Sequence, residues 1–155
     1  MNKSVIAGVL SAALLSLSLS AQAVSPEEQI ELRKAGYSYM SWNMGKIKAQ
    51  VIDQSVAYNQ TQVAAAANTI AAIANSGMGA LYGPGTDKQV GAQTTRVKPE
   101  MFDNFDDVAT ISARLSETTG NLASAAASDD QAAIRVAFGE VGQTCKSCHD
   151  KYRQK

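Results

Sequence analysis

Residues 134–152, IRVAFGEVGQTCKSCHDKY, carry a set of apolar and small side chains at helical spacing. Most neighbours in this set lie three or four positions apart, so they share one broad face of a helix. The members are Ile134, Ala137, Phe138, Val141, Cys145, Cys148 and Tyr152. Because a broad apolar face must be covered by other elements, the stretch predicts the last helix of a helical domain.

Three more helices are predicted upstream. The first runs from about Pro26 to Asp53 and begins with a capping box formed by Ser25 and Glu28. One face of this helix, its stripe, is predicted to pack against another element and contains Ile30, Tyr37, Met40, Met44, Ile47 and Val51. The second helix spans roughly Asn59 to Asn75, and the third runs from Pro99 to about Ala127.

The connections complete the predicted architecture. Ser128, Asp129 and Asp130 are predicted to form a cap and an acidic first turn for the last helix. Residues 76–98 are predicted as a long loop, because Gly77, Gly79 and residues 83–87 (GPGTD) are turn formers. Two short connections and one long loop between helices two and three favour an all-α antiparallel four-helix bundle.

The composition agrees with one helical domain. The chain has 155 residues, an aromatic content of 6% and only three prolines, which disfavours a fold of many short strands. Its 14 basic residues balance 14 acidic ones, which excludes a strongly basic nucleic-acid binder and an acidic disordered chain.

The first 23 residues have the pattern of a secretory signal peptide. Lys3 precedes a stretch of apolar and small residues, and Ala21-Gln22-Ala23 matches a small-x-small cleavage site. We expect cleavage after Ala23, export to the periplasm, and a single mature domain of residues 24–155. No later stretch approaches about 20 continuous apolar residues, so no membrane span is expected.

The chemistry of the chain is concentrated in Cys145-Lys146-Ser147-Cys148-His149, the attachment signature of a c-type haem. Positions i and i+3 share one face of a helix, so both thiols can form thioethers to the same porphyrin. His149 can then bind the iron, and it is the only histidine in the chain.

Two alternatives use the same cysteines. Export permits a disulfide between Cys145 and Cys148, and Cys-x-x-Cys also occurs in thioredoxin-type redox proteins. That redox motif normally opens a helix in a βαβ unit, whereas here it lies near the end of a helix. Zinc would find three ligands, which is too few for a closed structural site.

The residues resemble the cytochromes c′, or class II cytochromes c. The similarity rests on residues 137–142 (AFGEVG) followed by residues 145–153 (CKSCHDKYR), near the end of the chain. Residues 83–86 (GPGT) in the loop and Arg33 with Met40 in the first helix add to it. The resemblance covers essentially the whole mature chain.

This resemblance implies one haem c with a pentacoordinate, high-spin iron. His149 would be the axial ligand, and the opposite face would bind diatomic gases such as nitric oxide and carbon monoxide. That implies nitric oxide buffering or electron transfer. The alternative is a six-coordinate, low-spin electron carrier with Met40 as sixth ligand, although Met is more often a core residue than a ligand.

Tyr37 stands where family members place the residue that covers the vacant iron face, often Leu. Its ring could block access, its hydroxyl could donate to a bound ligand or water, or its phenolate could ligate iron. Phenolate formation is disfavoured because an apolar site raises a pKa that is already about 10. Alternatively, Tyr37 is a packed stripe residue whose hydroxyl reaches elsewhere.

The resemblance also implies roles for two arginines. Arg153, one turn after His149, would lie beside the proximal imidazole and direct a second gas molecule or an anion, unless it is simply a solvated charge. Arg33 would pair with a haem propionate or, alternatively, form a surface salt bridge.

Partners and activity follow from the same reasoning. The resemblance implies an antiparallel homodimer through the first two helices. Residues 64–67 (AAAA) would allow close helix approach, and Trp42 could lie at the contact. A redox partner protein is a further candidate. No enzymatic activity is expected, because the single histidine is used on the iron and no distal acid–base histidine is available.

Overall fold

The computed structural model describes residues 24–155, in which four helices account for most of the chain. They are α1 (Pro26–Ile47), α2 (Gln60–Ala74), α3 (Phe105–Ala127) and α4 (Gln131–Tyr152). The described residues contain two isolated β-bridges and no strand. The predicted all-α four-helix bundle is thus confirmed. The predicted signal peptide lies outside the described residues.

The first two helices end close to their predicted positions. Ser25 and Glu28 form the predicted capping box, and α1 continues as a π-helical turn over Lys48–Ile52. The π-helical turn adds one residue to a turn of the helix, so its hydrogen bonds reach one position further than in α1. Asn59 caps the start of α2 through its side chain.

The start of the third helix was predicted wrongly. Pro99–Met101 form a separate 3-10 turn, and α3 begins only at Phe105. Asn104 separates the two because its backbone (φ −131°, ψ 41°) is not helical. Its side-chain amide donates to the carbonyl of Glu100 at 2.7 Å, which closes the turn before α3 starts.

The predicted cap of the last helix also needs correction. Ser128 belongs to the end of α3, where its hydroxyl donates to the Ala125 carbonyl. Asp129 has a left-handed backbone (φ 59°) that reverses the chain. Asp130 alone caps α4, accepting from the amides of Ala132 and Ala133 at 2.9 and 3.0 Å. The first turn of α4 therefore contains no acidic residue.

The core consists of the apolar stripes of all four helices. It forms one contiguous cluster of buried side chains: Met40, Ile47, Val51, Val63, Ala66, Ala67, Ile70, Leu122, Ala126, Ile134, Ala137 and Val141. Ile30, Met101 and Tyr152 are also buried but lie outside this cluster. None of the described helices is both long and apolar enough to cross a membrane.

The alternating chain direction gives the bundle two different ends. The last turn of α4 lies with the first turns of α1 and α3 and with residues 76–98, and we call this the motif end. At the opposite end, the two short connections meet, where the Tyr58 hydroxyl donates to the Asp129 carboxylate. The long loop and the Cys-x-x-Cys-His motif therefore share one end of the molecule.

Candidate functional site

The last two turns of α4 carry Cys145, Cys148 and His149. Both thiols are free and half-buried, so the structure shows no disulfide between them. Burial raises the pKa of both thiols, which keeps them protonated at neutral pH. His149 is exposed beside them, and partial burial, the larger cause, together with the nearby Arg96 lowers its pKa. A neutral imidazole is the form that binds a metal.

The surroundings of the two thiols fit a flat apolar group. Cys145 packs against the main core cluster, while the buried Met101 and Tyr152 are separated from that cluster. The two thiols, three positions apart on one face of α4, have the placement that a haem attached through both cysteines requires.

Tyr37 comes close to this face from α1. Burial is the largest influence and raises the pKa of Tyr37, so the phenol stays protonated. After burial, the nearby Cys148 and Cys145 are further causes that raise its pKa. Tyr37 is 40% exposed and not part of the core cluster, whereas Met40, Ile47 and Val51 of the same stripe belong to it. The covering role of Tyr37 and its role as a packed stripe residue both stay predictions.

Tyr82 is a neighbour of Tyr37 that the sequence analysis did not identify. Burial raises its pKa far above the usual range, and Tyr37 contributes to this rise. Tyr82 directly precedes the turn-forming residues 83–87, a region without the periodicity that identifies helical side chains. The only sequence signal for Tyr82 is its position directly before a turn.

Met40 was predicted as an alternative iron ligand. The structure buries it in the main core cluster, as expected for a methionine that fills space between helices.

Arg33 anchors the long loop to α1. The residue is only 2% exposed, and its guanidinium donates to the Leu81 carbonyl at 3.0 Å, to the Thr86 and Thr95 hydroxyls at 2.8 Å each, and to the Thr86 carbonyl. The guanidinium carbon also lies 4.5 Å from the centre of the Tyr82 ring, a cation–π contact.

The predicted surface salt bridge of Arg33 is wrong. No carboxylate of residues 24–155 forms an ion pair with Arg33. Carbonyl and hydroxyl oxygens of the loop accept the hydrogen bonds of its guanidinium group instead. An arginine on an amphipathic helix normally points to solvent, and here the loop covers it. The contact with a haem propionate stays a prediction.

Further contacts fasten the same loop along α1. The Gln29 and Glu27 side chains accept from the amides of Gly83 and Ala92 at 2.9 and 2.8 Å. At Gly36 an added Cβ would lie 2.9 Å from the Met78 methyl group, so the absence of a side chain lets the loop approach α1. The loop is thus a tightly held cover over α1.

Arg153 lies where the resemblance implied. Its Nη1 is 3.4 Å from His149 Nδ1, although the residue is exposed. Arg96, at the end of the long loop, is a second cation near the imidazole. The sequence analysis missed Arg96 because no spacing relates it to His149, 53 positions later in the chain.

Comparison with known proteins identifies similar chains. The family model described as cytochrome c′ matches residues 28–153. The cytochrome c′ of Allochromatium vinosum is 56% identical over 98% of this chain and 96% of its own length. A solved cytochrome c′ described as having an unusual ligand-controlled dimer dissociation is 60% identical, covers 84% of this chain and 98% of its own, and superposes with a TM-score of 0.81.

More distant solved structures have bound gases. Variants of the Alcaligenes xylosoxidans cytochrome c′ were solved with carbon monoxide bound and as a nitric oxide complex. Both are 27% identical to this chain and cover 84% of it, with TM-scores of 0.73. The match extends over 98% of the carbon monoxide-bound variant and over 97% of the nitric oxide complex.

Proposed function

The chain belongs to the cytochrome c′ family, whose members bind haem c, and from that premise we propose that it is a periplasmic protein that captures diatomic gases, nitric oxide foremost. Cys145 and Cys148 would hold one haem and His149 would bind its iron. The haem supplies an iron that binds small diatomic molecules. The proposal includes export with cleavage after Ala23 and no enzymatic activity.

One observation carries this proposal: residues 24–155 offer no second strong iron ligand at the motif end. His149 is the only histidine, and Met40 is packed in the core cluster. Burial raises the pKa of Tyr37, which opposes formation of a phenolate ligand. An iron with one axial protein ligand is open to gases, and the gas-bound relatives support this role.

The absorption spectrum of the purified holoprotein tests the proposal directly. We expect high-spin ferric and ferrous spectra that change when carbon monoxide or nitric oxide is added. A low-spin spectrum that carbon monoxide does not change would contradict the proposal. It would instead indicate a protein sixth ligand, with Met40 as the candidate, and electron transfer as the function.

Replacing Tyr37 by leucine is expected to raise the association rate of carbon monoxide. The ring of Tyr37 lies near both thiols, and a smaller side chain leaves more room at the iron face opposite His149. We expect an increase of about tenfold, equivalent to about 1.4 kcal/mol in the barrier. Stopped-flow mixing measures the rate. Val56→Ala, which shortens an exposed side chain at the opposite end of the bundle, serves as the control. Equal rates in Tyr37→Leu and the wild type would contradict the covering role.

We further propose that two copies associate through the outer face of α1. Leu32, Tyr39 and Trp42 are exposed there, and Trp42 stacks on Tyr39 with ring centres 5.2 Å apart. Of the alanine run 64–67, Ala66 and Ala67 belong to the core, so that run offers less contact surface than expected. A solved relative is described as a dimer whose dissociation a ligand controls.

Sedimentation velocity tests this association. Trp42 is 55% exposed, and we expect Trp42→Glu to shift the mass from two chains to one. Val136→Glu is the control, because Val136 is 65% exposed but lies on α4. A wild-type protein that sediments as one chain would contradict the proposal.

A further inference from the structure

The residues that follow His149 are held from two sides. On one side, the backbone of residues 152–154 pairs with the end of the long loop, residues 96–98. The Lys98 amide donates to the Tyr152 carbonyl at 2.9 Å, and the Gln154 amide donates to the Arg96 carbonyl at 2.8 Å. These two bonds enclose an isolated antiparallel bridge between Val97 and Arg153.

On the other side, Asp107 in the first turn of α3 binds the same segment. Its Oδ2 accepts from the Tyr152 hydroxyl at 2.6 Å, and its two oxygens accept from Lys151 Nζ at 2.9 and 3.0 Å. Tyr152 is buried, whereas Lys151 and its ion pair with Asp107 are exposed. An exposed ion pair contributes little, so the Tyr152 hydrogen bond is the stronger of these two links.

We propose that Asp107, acting through the Tyr152 hydroxyl, is a positioning residue for the proximal imidazole of His149. His149 lies three residues before Tyr152 in the same helical turn, and its carbonyl accepts from the Arg153 amide at 3.2 Å. Because the end of α4 is fixed to α3 and to the loop, the backbone that carries the imidazole is held in place relative to the helices that would enclose the haem. Groups behind a metal ligand orient it and adjust the bond it makes.

This inference rests on the proposed binding of iron by His149, and it assigns a role to residues outside the Cys-x-x-Cys-His motif. Asp107 and Tyr152 do not touch the iron in this arrangement. Their effect would be on the direction and strain of the iron–imidazole bond, and through that bond on the release of a gas from the opposite face.

The bundle contains a matched control at its opposite end. There the Tyr58 hydroxyl donates to the Asp129 carboxylate at 2.5 Å and links the two short connections. Tyr58→Phe and Tyr152→Phe each remove one tyrosine hydroxyl bonded to one aspartate. Only Tyr152→Phe lies beside His149. A general loss of stability would therefore appear in both variants, whereas a loss of imidazole positioning would appear in Tyr152→Phe alone.

The test uses the ferrous holoprotein and two readouts, the iron–histidine stretching band in resonance Raman spectra and the dissociation rate of carbon monoxide. For Tyr152→Phe and for Asp107→Leu, we expect a shifted band and a rate change of about threefold, below the range for groups that touch a metal ligand directly. The double variant should match the single ones, because each change removes one partner of the same hydrogen bond. Tyr58→Phe should leave both readouts unchanged.

Wild-type band positions and rates in both Tyr152→Phe and Asp107→Leu would overturn the inference. If Tyr152→Phe yields too little holoprotein, Asp107→Leu decides the question, since leucine has a shape similar to that of aspartate and no hydrogen-bond acceptor. A wild-type protein without an iron–histidine band would refute the proposed function itself. A wild-type band that neither variant shifts would refute only the positioning role.

Discussion

Replacing His149 by alanine is expected to abolish the iron–histidine band while leaving the haem covalently attached. Cys145 and Cys148 remain in place on the same face of α4, so thioether formation does not depend on the imidazole. The iron would then lack the axial ligand that we propose for it, because the chain has no other histidine. We expect carbon monoxide affinity to fall by about 100-fold, the upper range for disturbed metal sites.

Added imidazole provides an internal check on that variant. His149 is exposed, so a small base from solvent can reach the space that the side chain leaves. Imidazole in the buffer should restore a five-coordinate spectrum to His149→Ala. Asp150→Asn, a neutral change of the next residue, should retain the wild-type spectrum. A wild-type gas-binding spectrum in His149→Ala without imidazole would refute the assignment of this ligand.

Replacing Arg33 by alanine is expected to destabilise the protein by about 3 kcal/mol. The change leaves the carbonyls of Leu81 and Thr86 and two hydroxyl groups without their donor, and each unsatisfied buried group costs roughly 1–3 kcal/mol before water replaces part of the loss. The melting temperature should fall by about 10 °C. Thermal unfolding followed by circular dichroism measures this change.

Two neighbouring variants make the result specific. Lys34→Ala removes an exposed side chain whose Nζ donates to Gln93 in the same loop at 3.1 Å, and it should cost less than about 0.5 kcal/mol. Arg33→Lys keeps the charge but loses the planar fork that reaches several acceptors at once, so it should fall between the two alanine variants. A melting temperature for Arg33→Ala equal to that of Lys34→Ala would contradict the anchoring role.

The helices and the haem motif were predictable because their signals are local. The capping box of Ser25 and Glu28 depends on two residues that are three positions apart. Cys145 and Cys148 share one face of α4 because they have the same spacing within one helix. The family resemblance added roles for Tyr37 and Arg153, and the structure places Tyr37 near both thiols and Arg153 beside His149. The axial role of His149 stays a prediction.

The misplaced boundaries depend on backbone conformations that several residue types adopt. Asn104 closes a 3-10 turn through the Glu100 carbonyl, and Asp129 takes a left-handed conformation between α3 and α4. Neither residue demands this behaviour by itself, since the packing of the helices selects it. The presence of a helix cap is therefore easier to predict from the sequence than the residue at which the helix begins.

The burial of Arg33 and the proximity of Arg96 to His149 were beyond reach for a different reason. Both arise from a glycine-rich loop whose residues have no periodic pattern. Arg33 meets Thr86 53 positions later, and only the fold of the loop brings them together. Without such a pattern, an arginine on a helix is expected to lie in solvent.

The way the motif end is closed has a consequence for the order of folding. The side-chain hydrogen bonds that fasten the loop to α1, and α3 to the end of α4, join residues 44 to 65 positions apart. By contrast, α3 and α4 are joined by only three residues, so their pairing needs little loop closure and forms early. The contacts between the loop and α1 are then expected to form after this pairing. On that order of events, we expect the thioether bonds to Cys145 and Cys148 to be made in a newly synthesised chain before the loop settles over α1.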